Sequence, residues 1–163
     1  LVARKLRLSR IVTAAAPSYL AKWGTPHGPK DLAEHNCLLY GTFASCRQCR
    51  WEFVDANQIH HSVAVNGNTV MDNGDALTEA AIQGVGIIQV PDFAVLRQLR
   101  DGRLTQILVN YRSPVTPVWM LYSPNPHRTS RVQMLIDDII AAAQTSSEID
   151  DTVQGDRPIL IEQ

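Results

Sequence analysis

The stretch from Asn73 to Pro91, reading NGDALTEAAIQGVGIIQVP, constrains this chain more than any other. Ala76, Leu77, Ala80 and Ala81 fall on one face of a helix predicted over 75–83. Gly84 stands where a helix commonly ends in a left-handed residue. Val85 to Val90 is then an apolar run broken only by Gln89. Between two helical patterns, such a run reads as a parallel strand covered on both faces. Pro91 opens a second helix that runs to Leu99 and stops near Gly102. A unit of this kind aims a helix N-terminus and a strand C-terminus toward one crevice. It suits the binding of a small molecule and needs no catalytic residue of its own.

The rest of the chain extends the alternation of helix and strand. Leu1–Leu8 and Arg10–Ala16 are two strand-like runs with no helix between them. Short helices begin at Pro17 and Pro29, and strands are expected at 36–40, 51–54, 62–65, 103–109 and 117–122. The clearest helix is 129–145, where Val132, Leu135, Ile136, Ile139, Ile140 and Ala143 make one apolar stripe. Residues 146–163 read as a loosely ordered acidic tail. This pattern is that of an α/β protein.

A 45% hydrophobic and 19% charged composition supports a packed core. The net charge of −1 carries no nucleic-acid footprint. No apolar run approaches the roughly 18 residues that span a bilayer, and no signal peptide is legible at Leu1. Three cysteines give no disulfide framework, so a reducing cytoplasm is expected.

Several motifs invite chemistry and are better explained without it. Cys46 and Cys49 form a CxxC, but a structural zinc site needs four ligands and a redox pair normally opens a helix. His60 and His61 are adjacent on a strand and point to opposite faces. No metal or cofactor is expected. Gly84-Val-Gly86 follows a helix and opens a strand, the reverse of a dinucleotide loop. Asp72, Asp75 and Glu79 sit at a helix start, where Asp72 or Asn73 can cap and the others complement the dipole. No nucleophile, base and oxyanion set converges, so no catalytic residue is named and no enzyme is expected. Trp23, Trp51 and Trp119 read as packing residues.

In order along the chain stand Ala15-Ala-Pro-Ser-Tyr-Leu20, Gly24-Thr-Pro26, Pro29-Lys-Asp-Leu32, His35-Asn-Cys-Leu38 and Trp51-Glu-Phe53. Asn73-Gly-Asp-Ala-Leu77, Gly84-Val-Gly-Ile87, Val90-Pro91 and Gly102-Arg-Leu104 follow. With this ordered set, the chain resembles the effector-binding domain of LysR-type transcriptional regulators over roughly residues 1–145. The resemblance implies a fold like type 2 periplasmic binding proteins, two α/β lobes joined by crossing strands. On that analogy residues 10–117 are the second lobe. Residues 1–9 and 118–145 are an incomplete first lobe, and the DNA-binding winged helix lies before Leu1.

The resemblance also implies an inducer held in a cleft, in a homodimer or homotetramer that meets DNA only through the absent domain. Its contacts are expected at Thr13, Ala14, Ala15 and Ala16, at Val70, Met71, Asp72 and Asn73, and at Pro91. Exposed N–H groups at the helix entry suggest an anionic or carbonyl-bearing effector. The chain departs from the family at Ala16, where members often carry Ser, in the Cys46–Cys49 connector and in its long tail. The alternative is a solute-binding protein of a transport system, which needs export.

Overall fold

A computed structural model describes residues 2–42, 49–113, 115–123, 130–145 and 159–160. The chain divides into two compact units, Leu1–Ser9 with Val115–Gln163, and Arg10–Pro114.

The opening is one strand, not two. β1 runs unbroken over Val2–Ala15, because no glycine or proline interrupts its apolar and basic residues. Its second half organises the larger unit. There it pairs antiparallel with β6 (Ile88–Pro91), Ile11 facing Pro91 and Ala14 facing Ile88. On its other side it pairs antiparallel with β7 (Thr105–Ile107), Thr13 facing Ile107. The helix α1 (Pro17–Trp23) follows at once, with Pro17 in its first turn. A 3₁₀ turn spans Pro29–Glu34, its start held by the Asp31 carboxylate, which accepts the N–H groups of His27 and Gly28 at 2.8 and 3.0 Å.

Two small ladders complete this unit. β2 (Leu39–Tyr40) pairs parallel with β5 (Val70–Met71). β3 (Arg50–Val54) and β4 (His60–Ala64) form a hairpin in which Trp51 faces Val63 and Phe53 faces His61. The helices α2 (Gly74–Ile82) and α3 (Asp92–Arg100) pack on β6 and on each other. The core gathers Leu32, Leu38, Phe53, Leu77, Ile87, Ile88, Val95 and Leu104, all essentially closed to solvent.

Two expectations about the 73–91 unit change. Its strand is not a parallel one. Ile87 makes a single parallel bridge to Cys37, and the strand proper then runs antiparallel to β1. The apolar run is nonetheless buried at Ile87, Ile88 and Val90, since burial on both faces selects apolar residues whatever the direction of the partner. Pro91 closes this strand and stands just before α3, which begins at Asp92.

The smaller unit contains the first half of β1, β8 (Val115–Tyr122), α4 (Ser130–Thr145) and β9 (Ile159–Leu160). β8 pairs with β1, and β9 pairs antiparallel with it, Val2 facing Leu160. Thus Ile159 and Leu160 of the expected loose tail are in a strand; the remainder, 146–158 and 161–163, lies outside the described residues. The helix at 130–145 forms where its periodicity places it, but its stripe is not core. Only Ile136 is buried, whereas Val132, Leu135 and Ile139 are 40–58% exposed. The reason is a shortage of partners. Among the described residues of this unit, only Ala3 and Ile136 are buried apolar side chains.

Among the tryptophans, Trp51 alone is core. Trp23 and Trp119 are exposed, and the Lys22 ammonium lies 5.1 Å from the centre of the Trp23 ring.

Candidate functional site

A cavity of about 370 Å³ opens in the larger unit where β2 and β5 end and α2 begins. Val70, Met71, Asp72 and Asn73 form one wall with Ala76, and Gly41 and Thr42 form the other. The two walls meet because β2 and β5 are parallel, Leu39 facing Val70 and Tyr40 facing Met71. The ladder continues past both strands: Leu39 N–H donates to the Thr69 carbonyl at 3.0 Å, and Gly41 N–H to that of Met71 at 2.8 Å. Both chains therefore leave the sheet on the same side, a recurrent place for ligands in α/β proteins.

Asn73 sets the mouth of the cavity. Its backbone is extended, and its side-chain oxygen accepts the N–H groups of Asp75 and Ala76 at 2.9 and 3.0 Å. Its carbonyl accepts the Leu77 N–H at 3.1 Å. Of the two candidates for the cap, then, Asn73 fills the role. This leaves Asp72, which is exposed, as the charged residue among those lining the cavity.

The supporting layer is built on close backbone contact. Gly67 packs so tightly on Cys37 that a Cβ there would stand 1.7 Å from the Cys37 carbonyl oxygen. Gly86 lies against Asn36, where a Cβ would be 2.3 Å from the carbonyl oxygen. Asn36 ties three segments together: its side chain donates to the Val85 carbonyl at 2.8 Å and to Asn68 Oδ1 at 3.0 Å, and it accepts the Asn68 N–H at 3.0 Å. The Asn36 N–H donates to the Tyr19 hydroxyl at 3.0 Å, and that hydroxyl lies 3.2 Å from His35 Nδ1. Burial pushes the Tyr19 phenol above its ordinary value, against the opposing pull of the Asn36 N–H.

The sequence-predicted residues fall into two groups. Val70, Met71, Asp72 and Asn73 come together at the cavity. Thr13, Ala14, Ala15 and Ala16 are buried in and after β1, and Pro91 is half-buried beside Ile11; none of these lines it. Gly41, Thr42 and Ala76 were not singled out from sequence. For Gly41 and Thr42 the available signal was a strand ending at Tyr40, useful only once its partner is known.

The remaining chemical candidates behave structurally. Cys37 is buried, and burial pushes its thiol up to about 12, far from a nucleophilic thiolate. Cys49 is half-buried and Cys46 lies outside the described residues. Among the described residues no cluster of three or more His, Cys, Asp or Glu could hold a metal ion. His60 starts β4, and His61 Nε2 lies 3.1 Å from Asp55 Oδ2 with its ring edge-on to Tyr111. Among the described residues, no helix is long and apolar enough to cross a membrane.

The fold and this cavity together define a mixed α/β binding domain of the periplasmic-binding-protein kind. Residues 1–144 match the LysR substrate binding domain family, and the chain belongs to it. A putative transcriptional regulator of Pseudomonas aeruginosa is 30% identical over 131 residues, which are 80% of this chain and 42% of that protein. The regulatory domain of CrgA, a LysR-type regulator of Neisseria meningitidis, superposes with a TM-score of 0.74 at 27% identity, over 86% of this chain and 68% of its own. Full-length AphB of Vibrio cholerae shares the fold with a TM-score of 0.75 at 24% identity, over 86% and 47%. The chain thus spans less than half the length of the curated relatives it matches.

Proposed function

We propose that this chain is the ligand-sensing part of a cytoplasmic LysR-type transcriptional regulator and that its effector sits in the cavity at 41–42 and 70–76. The observation that carries the reading is the cavity's position at the Asn73-capped start of α2, in a chain of this family. Direct contact goes to Val70, Met71, Asp72 and Asn73. Thr13 to Ala16 and Pro91 take a supporting role, since the alanines are closed to solvent. The chain is not an enzyme. The working regulator is a homodimer or homotetramer, and DNA is met through a domain outside this chain.

The mechanism is a shift between quaternary arrangements. A small molecule changes transcription only by binding one arrangement better than another, so the regulator must present a different cavity in each. A solute-binding role in transport is the weaker reading, because the relatives that cover most of this chain are named as transcriptional regulators. Met71→Trp, which places an indole in the cavity wall and narrows it, tests the proposal in the full-length regulator. Promoter occupancy should persist while the response to growth conditions is lost. An unchanged response contradicts the reading, as does sequence-specific DNA binding by residues 1–163 alone.

A further inference from the structure

On the reading that this cavity seats the effector, we infer that the group recognised there is a protonated amine carried on an apolar body, not a carboxylate. A bare helix N-terminus favours anions because its first N–H groups have no partners. Here two of them do: the Asn73 side chain takes the N–H groups of Asp75 and Ala76, and the Leu77 N–H makes the ordinary helical bond to the Asn73 carbonyl. The Gly41 N–H across the cavity is likewise committed to the Met71 carbonyl. An arriving carboxylate would find these donors occupied.

The charges point the same way. Asp72 is the sole charged residue in the lining, among the described residues. Asp75 stands in the first turn of α2 and offsets the positive end of the helix. Val70, Met71 and Ala76 supply apolar wall, and Thr42 supplies a hydroxyl. An acidic residue at the edge of an apolar pocket is suited to an ammonium group whose hydrocarbon part goes inward. The cavity of about 370 Å³ accommodates a small aralkyl or alkyl amine.

Isothermal titration of the full chain with three matched probes tests this: 2-phenylethylamine, 2-phenylethanol and 3-phenylpropionate. The amine should bind roughly fivefold tighter than the alcohol, the size of an exposed ion pair, and the carboxylate weakest. The advantage of the amine should shrink with added salt. Asp72→Asn should bring the amine to the level of the alcohol, and since Asp72 is exposed the variant keeps its fold. A carboxylate that binds as well as the amine overturns the inference. So does an amine preference that survives Asp72→Asn, or failure of all three probes to bind. Met71→Trp separates this from the location of the seat. If it removes all three ligands and no amine preference exists, the seat stands and the amine falls. If amine affinity is unchanged by it, the seat itself is wrong.

Discussion

Gly86→Ala should destabilise the larger unit severely, and the reason is steric alone. A Cβ at Gly86 would stand 2.3 Å from the Asn36 carbonyl oxygen, 3.0 Å from Leu38 Cδ2 and 3.1 Å from Asn36 Nδ2. The nearest atom is backbone, so no rotamer change relieves it. Relief requires a movement of about 1 Å between the 85–87 and 36–38 segments, given an ordinary C···O separation of about 3.3 Å. That movement stretches two hydrogen bonds, from the Ile87 N–H to the Asn36 carbonyl at 2.9 Å and from the Leu38 N–H to the Ile87 carbonyl at 2.8 Å. It also disturbs the Asn36 side chain that binds Val85 and Asn68. Overpacking of this kind costs about 1–3 kcal/mol, and each weakened bond up to about 1 kcal/mol. The sum is about 1–5 kcal/mol, a fall in Tm of about 4–20 °C at about 4 °C per kcal/mol for a unit of this size. Two controls isolate the cause. Gly74→Ala meets nothing within 4 Å, so it should be neutral or stabilising by about 0.5 kcal/mol. Gly102→Ala also has open space but a φ of +70°, so it should cost about 1 kcal/mol through the backbone. Urea denaturation followed by circular dichroism reads all three. Gly86→Ala within 0.5 kcal/mol of wild type would refute the reasoning.

Three other outcomes are expected. Asn73→Ala should lose about 1 kcal/mol in urea denaturation, because two N–H groups at the start of α2 lose their acceptor; no loss would mean that water replaces the cap in full. Cys37 should resist iodoacetamide in the native chain at pH 8 and react only on unfolding, as peptide mass mapping would show. Its folded thiol titrates at about 12 against an ordinary 9.0, so its contribution is fully present below pH 9 and is lost as pH rises toward 12, at about 1.4 kcal/mol for each unit. The Asp55 carboxylate is held below its ordinary value, first by the Ile59 N–H and then by His61. Its stabilisation is therefore present above pH 3.8 and lost as pH falls through the lower folded value, so Asp55→Asn should lower Tm at pH 7 and leave it little changed in strong acid. Equal loss at both pH values would contradict that assignment.

What was legible in the sequence was local. A cap at Asp72 or Asn73, Gly84 as a left-handed helix end and the prolines at the first turns of short helices each depend on neighbours within about four residues. The apolar run at 85–90 revealed burial but not direction, because two covered faces look alike with parallel or antiparallel partners. The cavity was half visible. Val70 to Asn73 follow from the helix entry, whereas Gly41 and Thr42 arrive only through pairing of Leu39 and Tyr40 with residues 31 positions away. The expected anionic preference rests on a count of orphan N–H groups, whereas the pairing of two of them with the Asn73 side chain depends on the folded cap geometry. Gly67 and Gly86 as backbone contacts on Cys37 and Asn36 are tertiary facts with no local trace. The α4 stripe shows the converse: its periodicity makes the helix, but burial needs a partner surface that the described residues of its unit do not supply.

The central claim is that a small molecule acts at the start of α2. Amide chemical-shift mapping tests it most directly, on the full chain titrated with the tightest ligand that a thermal-shift screen of a metabolite library yields. The account predicts the largest shifts at Gly41, Thr42, Val70 to Asn73 and Ala76. Shifts centred elsewhere, for example on the hairpin at Asp55 to His61, or a library that yields no ligand, would contradict it.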